Sequence, residues 1–564
     1  MKTDAITEEV ELEVRGMTCD SCALHVTKAL RGVGGVLAVE VPGWMSGRAK
    51  LVVEPKVDGN TLTAAVKEAG YRARELSRYR VTPDEPAQDW GRKADYDLVV
   101  IGTGGAGMAA AIRGAELGKK VCLVEAGTIG GTCVNIGCVP SKTLIRAAET
   151  FHRAKNHTFA GVRTSADCLE WQAIIGQKDE LVSELRQNKY VDVIKSYGDS
   201  ISLVRGRARL QADGSIQLED GQSCRPERIV IATGALPRIL PLPGAEEAGV
   251  LTSTTLMAAA RQPESLIVIG GRAIALELGQ ALARLGTKVT ILQRSSRLLP
   301  EVEPEVAAAL MDYLHEEGIT IHTGVVPEAI RREGNEKILK AAIDGKRAEF
   351  RAEEVLMAVG RVPNSRGMGL EEAGIKLDHD GFVIVDDRMR TSNARVFAAG
   401  DVTTFPKLVY VAAAAGGVAA ENALNGGDKR LDLSVLPDVI FTDPQVATVG
   451  LTEVRAREQG YEVKVANLPL AYVPRALAAR DTRGLIKLIA DKSSDRLLGA
   501  HILAAEGGEV IQTAALAVRF GKEHGFTVSD LRGMLFPYLV QAEGLKLAAQ
   551  TFDKDVSQLS CCAG

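Results

Sequence analysis

The chain has 564 residues, 68 Lys+Arg against 72 Asp+Glu and a formal net charge of −4, a balance that excludes the basic footprint of a nucleic-acid binder. A composition of 46% hydrophobic and 25% charged residues excludes wholesale disorder, and nine cysteines are too sparse for a disulfide-stapled secreted scaffold. The acidic start MKTDAITEEVELEV is unlike a signal peptide and no apolar run reaches the roughly 18 residues of a membrane span, so the expectation is a soluble, cytoplasmic protein of several domains that does not span a membrane.

Residues 8–78 read as alternating ELEV, a helix from Asp20 to Leu30, strands VLAVEV and AKLVV, a helix TLTAAVKEAG and a strand YRAREL. This β-α-β-β-α-β order is ferredoxin-like. Its first loop carries GMTCDSC, with Cys19 and Cys22. Two thiolates on one exposed loop suit a soft cation that takes few sulfur ligands. Zinc would want four ligands, and no second Cys/His pair is near. A thioredoxin-like redox role is the rival reading. We assign residues 1–80 to this domain and 81–95, with two prolines and no periodicity, to a linker.

From Tyr96 the chain repeats a strand–glycine turn–helix–strand unit. In the first copy, Gly102, Gly104 and Gly107 form G-x-G-x-x-G directly after DLVVI, and Glu125 ends the next strand where a ribose-binding acid belongs. The second copy keeps Gly270 and adds Gly271, but Arg272 and Ala275 replace the later glycines. At its terminal position stands Gln293, followed by Arg294 and Arg297. Losing the acid while gaining arginines favours the 2′-phosphate of NADP over NAD; a solvated basic turn is the rival.

Two dinucleotide folds in one chain imply a flavin that takes hydride from a nicotinamide, hence FAD and NADPH. ATGALP, with Thr233 and Gly234, and FAAGD, ending in Asp401, follow strands and fit the flavin side. The expected FAD-binding domain is 96–245 with 375–435, the NADPH-binding domain 246–374, and an α+β dimerisation domain 436–564.

Residues 130–142, GGTCVNIGCVPSK, place Gly131, Thr132, Cys133 and Cys138 ahead of a helix expected near Pro140. A thiolate near a helix N-terminus has a lowered pKa and greater reactivity. The chain ends in SCCAG, where the adjacent Cys561 and Cys562 can grip a soft ion; alone, this tail is equally well incidental.

The body over 95–555 resembles the two-dinucleotide flavoprotein disulfide reductases, and the N-terminal loop resembles that of heavy-metal-associated domains. The first resemblance implies that Cys138 contacts the flavin, that Cys133 is the exchanging thiol, and that Lys142 pairs with Glu277 near the flavin N5. It also implies a His-Pro dipeptide followed by Glu to protonate a leaving thiol. Here Phe536 precedes Pro537 and Gln541 takes the acid position. With GMTCDSC, GGTCVNIGCVPSK, FPYLVQAEGLKLAAQ and LSCCAG together, the chain resembles the mercuric reductases. That implies NADPH-dependent reduction of Hg(II), as substrate, to Hg(0), and a homodimer in which the tail of one subunit serves the site of the other. Cys561 and Cys562 would take the metal from small thiols, or from Cys19/Cys22, and pass it to Cys133/Cys138. Tyr538 would stand beside the buried metal site, and a mercury transporter or another thiol carrier could hand the ion over. Two rivals stay open: a disulfide reductase with an appended metal domain, and a soft-metal trafficking protein whose flavin is vestigial.

Overall fold

The computed structural model describes residues 7–17, 20–41, 47–81 and 96–559. Cys19, Cys561, Cys562 and residues 82–95 of the expected linker lie outside the described residues.

The N-terminal unit runs β1 (Thr7–Arg15), α1 (Asp20–Arg31), β2 (Val36–Glu40), β3 (Arg48–Val53), α2 (Gly59–Glu68) and β4 (Arg72–Val81). Its antiparallel sheet has the order β2-β3-β1-β4. Val10, Leu12 and Val14 alternate inward along β1 and meet Val26 and Leu30 of α1 and Leu62 and Val66 of α2. These are the period-two and i, i+4 rows that strands and helices turn to one side.

The body begins with β5 (Leu98–Ile101), α3 (Gly105–Glu116) and β6 (Val121–Glu125). All four residues of β5 are buried, as in a parallel strand covered on both faces. The five-stranded parallel sheet has the order Val396–Ala398, Arg228–Ile231, β5, β6, Ile201–Arg205, so one strand arrives only after the second repeat has been completed. That second repeat is a four-stranded parallel sheet, ordered Thr320–His322, Lys288–Leu292, Ser265–Ile269, Glu354–Met357, with the helix Ala273–Arg284 after its glycine turn. In open parallel sheets of this kind, ligands sit beyond the C-terminal ends of the strands. The C-terminal part is a five-stranded antiparallel sheet, ordered Asp438–Ile440, Gln445–Gly450, Leu497–Ala504, Leu485–Asp491, Val463–Pro469, backed by the helix Gly507–His524. The architecture is thus α/β with two Rossmann-like units, an α+β C-terminal domain and a ferredoxin-like domain in front.

Three small antiparallel sheets among the described residues lie outside the expected elements: Ala208–Leu210 with Ile216–Leu218 and Ser223–Cys224, Val325–Glu333 with Glu336–Ile343 and Lys346–Ala352, and Ala235–Pro237 with Arg361–Pro363. Among the described residues, no helix is long and apolar enough to cross a membrane.

Candidate active site

The three glycines of the first turn do different work. Gly102 has φ +107°, and a β-carbon there would clash with the Ala232 carbonyl; one on Gly107 would clash with the Gly102 carbonyl. Both are needed for close packing of strand and helix. A β-carbon on Gly104 would meet only Gly131 Cα, at 3.8 Å. That open face at the start of α3 is where a diphosphate can approach backbone N–H groups. Gly131, at φ +63°, lies so close that its own β-carbon would come within 2.6 Å of Gly104 Cα. The cysteine segment is therefore laid directly across the glycine turn. Glu125 Oε2 accepts from Thr103 N at 3.0 Å and Thr103 Oγ1 at 2.5 Å, and Oε1 accepts from Gly127 N at 2.7 Å. These bonds orient the acid at the end of β6.

Cys133 lies in a short helix, α4 (Gly131–Ile136), and α5 (Cys138–Lys155) starts at Cys138 itself, two residues earlier than expected. Pro140 fits there because the first-turn N–H groups have no intrahelical partner to lose. Both thiols are free. The Cys133 S–H donates to Cys138 and holds its pKa down at about 7, against burial and with help from Lys142. The same hydrogen bond, with burial, pushes the Cys133 thiol far up. The pair is asymmetric, one thiolate and one thiol. One turn along α5, Lys142 Nζ bonds Glu277 Oε2 at 2.7 Å and sits 4.6 Å from the centre of the Phe441 ring. Buried Glu277 also accepts from Phe441 N at 2.9 Å. The structure thus brings Lys142 and Glu277 together beside the cysteines.

Asp401 lies beside Arg361, whose Nε is 3.4 Å from Oδ2. Burial pushes the Asp401 carboxyl up and the guanidinium pulls the other way. Arg361 donates to Thr132 Oγ1 at 3.3 Å and to the Ala235 carbonyl, yet its buried Nε, though in ion-pair range of Asp401, makes no hydrogen bond among the described residues. A buried donor left unmade is costly. The open face of Gly104, the oriented Glu125 and this orphaned donor beside Asp401 fit a flavin dinucleotide, with its diphosphate, ribose and polyol. Thr233 is spent elsewhere: its hydroxyl donates to Asn364 O at 2.7 Å, and Gly234, at φ +71°, accepts from Asn364 N at 3.0 Å.

In the second turn, Gly270 has φ +129° and abuts the Ala358 carbonyl, while Gly271 packs against the side chains of Gln293 and Leu298. Arg272 adopts extended backbone at the start of its helix, and its guanidinium pairs with Glu301. Gln293 is buried and accepts from Arg294 N. The two expected phosphate arginines differ. Arg297 donates to Val302 O at 3.0 Å and Pro300 O at 2.5 Å, tying its own loop, whereas Arg294 is exposed with no side-chain partner among the described residues.

Tyr190 was not singled out by the sequence. It is half-buried on a π-helical turn, Gln187–Val191, and its hydroxyl pKa is raised by burial and then by the negative charge of the cysteine pair. Such single turns recur at functional sites, but 52 residues separate it from Cys138 and no motif marks it. Tyr538, expected at a buried site, is half exposed on a segment that also shows Met534, Leu539 and Leu535, the last 94% exposed. Cys22 packs partly against the N-terminal core. Among the described residues, no group of three or more His, Cys, Asp or Glu could hold a metal ion. A soft cation that accepts two sulfurs needs no such group.

Residues 96–416 match the family described as pyridine nucleotide-disulphide oxidoreductase, 436–549 its dimerisation domain, and 11–72 the heavy-metal-associated domain. The chain is 43% identical to a mercuric reductase of Bacillus cereus over 99% of its own length and 88% of that protein. It is 44% identical to one of Staphylococcus aureus over 98% and 99%. Among solved structures, the HOCl-induced flavoprotein disulfide reductase RclA from Escherichia coli aligns with a TM-score of 0.72 at 30% identity, covering 81% of this chain and 99% of that one.

Proposed function

Since the chain belongs to the pyridine nucleotide-disulphide oxidoreductases and, among them, to the mercuric reductases, we propose that it catalyses NADPH + Hg(II) → NADP⁺ + Hg(0) + H⁺ with Cys133 and Cys138 holding the metal. The cofactors are FAD and NADPH. FAD, when bound, would relay the two electrons of the nicotinamide hydride to the metal held by the two sulfurs. The observation that carries the reading is the asymmetric thiol pair at the start of α5, beside Lys142–Glu277.

In this reading Gly102, Gly104, Gly107, Gly131 and Glu125 would hold the dinucleotide, with Thr132, Thr233, Gly234 and Asp401 completing its surroundings. Gly270, Gly271 and Arg294 would receive NADPH, with Arg297 shaping the loop. Cys138, about half ionised at pH 7, is the first sulfur to bind the ion; Cys133 loses its proton as it becomes the second. Metal ligation requires deprotonated sulfur, so the ion itself drives that proton off. Tyr190, and Tyr538 from a second subunit, are candidates to touch the metal. The exposed apolar segment around Leu535 supports a homodimer, with the tail bearing Cys561 and Cys562 exchanging ligands between solvent thiols and the buried pair. Cys19 and Cys22, on a tethered domain, would raise the local metal supply. We extend the proposal to the domain boundaries 1–80, 81–95, 96–245 with 375–435, 246–374 and 436–564, to a cytoplasmic location, and to metal handover from a transporter or other thiol carrier.

The rival disulfide reductase needs an acid for the leaving thiol, and Phe536 and Gln541 supply none. NADPH oxidation measured with Hg(II) in excess thiol, with oxidised glutathione and with lipoamide decides the matter. Mercury-dependent consumption with volatile mercury is expected; turnover with a disulfide alone would refute the proposal.

A further inference from the structure

The strand Leu485–Asp491 reads as apolar apart from Lys487 and its terminal Asp491, yet the lysine side chain is only 2% exposed. Its amine donates to Glu303 Oε2 at 2.8 Å and Glu305 Oε1 at 3.0 Å, and lies 3.1 Å from Glu453 Oε2. Glu303, also 2% exposed, accepts from Glu453 N at 2.6 Å with its other oxygen. A buried amine is tolerated only when so paired, and removing one partner leaves the others uncompensated.

Glu303 is the last residue of the loop that begins at Gln293 and leads into the helix Pro304–Glu316. The same loop is sewn to the second glycine turn. Leu299 N donates to Gly271 O at 3.1 Å, with Leu299 in the left-handed region at φ +45°, and Arg272 pairs with Glu301. Arg297 closes the loop onto the carbonyls of Pro300 and Val302. Only Arg294, at its start, points a guanidinium outward without a side-chain partner among the described residues.

We infer that Lys487 is a positioning residue for recognition of the dinucleotide 2′-phosphate: by clamping Glu303 to the C-terminal sheet it fixes the loop 293–303 against Gly271 and aims Arg294. This rests on the reading of Arg294 as the phosphate ligand. Without the amine, three carboxylates face one another, the end of the loop is released, and phosphate binding must supply the ordering that the clamp now provides.

The test is calorimetric titration of the FAD-loaded protein with 2′,5′-ADP and with 5′-AMP, alongside NADPH and NADH kinetics. In Lys487→Met the 2′,5′-ADP affinity should fall about tenfold, or ~1.4 kcal/mol, while 5′-AMP binding moves less than about twofold. KM for NADPH should rise with kcat held, and Lys487→Arg should restore most of the loss. Should Lys487→Met fail to fold, Glu303→Gln, which keeps the acceptor for Glu453 N, should show the same selective loss. Equal loss for both nucleotides, or none, overturns the clamp. Unchanged 2′,5′-ADP binding in Arg294→Ala would overturn the phosphate reading beneath it, whereas loss there with none in Lys487→Met overturns the clamp alone.

Discussion

Replacing Cys133 by alanine removes the S–H donor that does most to lower the Cys138 pKa. A hydrogen bond to a charged group is worth ~1.5–3 kcal/mol and one pKa unit ~1.36 kcal/mol, so the expected rise is about one to two units. From about 7 the thiol should move toward the ordinary value of 9.0, since burial raises what remains and Lys142 lowers it. The sign is definite: at pH 7 the thiolate fraction falls from about one half to roughly 1–10%. Reduced, FAD-loaded protein is alkylated with iodoacetamide across pH, and the Cys138 peptide is quantified by mass spectrometry. The inflection should shift upward, flavin should stay bound, and mercury-dependent NADPH oxidation should be lost. An inflection still near 7 would mean that Lys142 and the helix start set the thiolate without Cys133. Full mercury turnover would remove Cys133 from the redox pair.

Arg294→Ala should raise KM for NADPH about tenfold, the loss of one charge-assisted contact, and leave NADH nearly unchanged. Arg297→Ala, which unties the same loop, should raise KM for NADPH less than Arg294→Ala does and leave NADH nearly unchanged; a larger effect at Arg297 than at Arg294 in steady-state kinetics would exchange their roles. Gly104→Ala should fold normally by circular dichroism yet lose FAD on gel filtration, since its β-carbon meets nothing closer than 3.8 Å in the protein and enters only the diphosphate space. Gly107→Ala should fail to give folded protein, and equal behaviour of the two would contradict the assigned cradle. The double variant Cys561→Ala/Cys562→Ala should fail with thiol-complexed Hg(II), while deletion of residues 1–90 should leave turnover at saturating Hg(II) in excess small thiol largely intact; the opposite result would reverse the metal relay.

What the sequence reveals and what it hides follow one physical divide. The first glycine turn was legible because strand, turn, helix and acid are all local to some 25 residues, although the carbonyl that forbids a side chain on Gly102 comes from distant Ala232. The cysteine pair was legible for the same reason. Arg361 was not: it reaches Thr132 and Asp401 from distant strands, and its role rests on burial rather than spacing. Arg297 was assigned to phosphate by its charge, but local geometry spends its donors on backbone carbonyls two positions apart. Lys487 misleads in another way. A lysine amid GLIKLIA reads as the solvent-facing member of a strand, and only the approach of Glu303 and Glu305 from the second repeat, with Glu453, makes its burial tolerable. Tyr190 depends on an inserted helical residue, and helical periodicity in the sequence does not register one.

The replaced acid and the asymmetric thiols belong to a single chemical requirement. A histidine–carboxylate acid beside the pair would deliver a proton to sulfur, which a departing thiol needs and a bound soft metal does not, because protons and metal compete for the same lone pairs. Phe536 and Gln541 remove that source, and the Cys133 hydrogen bond keeps Cys138 ionised near neutral pH without one. The cost is that the dithiol must be filled by ligand exchange, since a metal already held by two small thiols gives them up only to incoming thiolates. In sequence, the segment that lost the acid precedes the terminal cysteines, with the helix Glu543–Gln550 between them. The segment carries Gln541 Nε2 and Glu543 Oε2, buried and without hydrogen-bond partners among the described residues, beside the exposed Leu535 and Tyr538. Polar atoms left unmet next to bare apolar side chains suit a surface completed by a second copy of the chain, and that is where a tail that trades metal with solvent would enter.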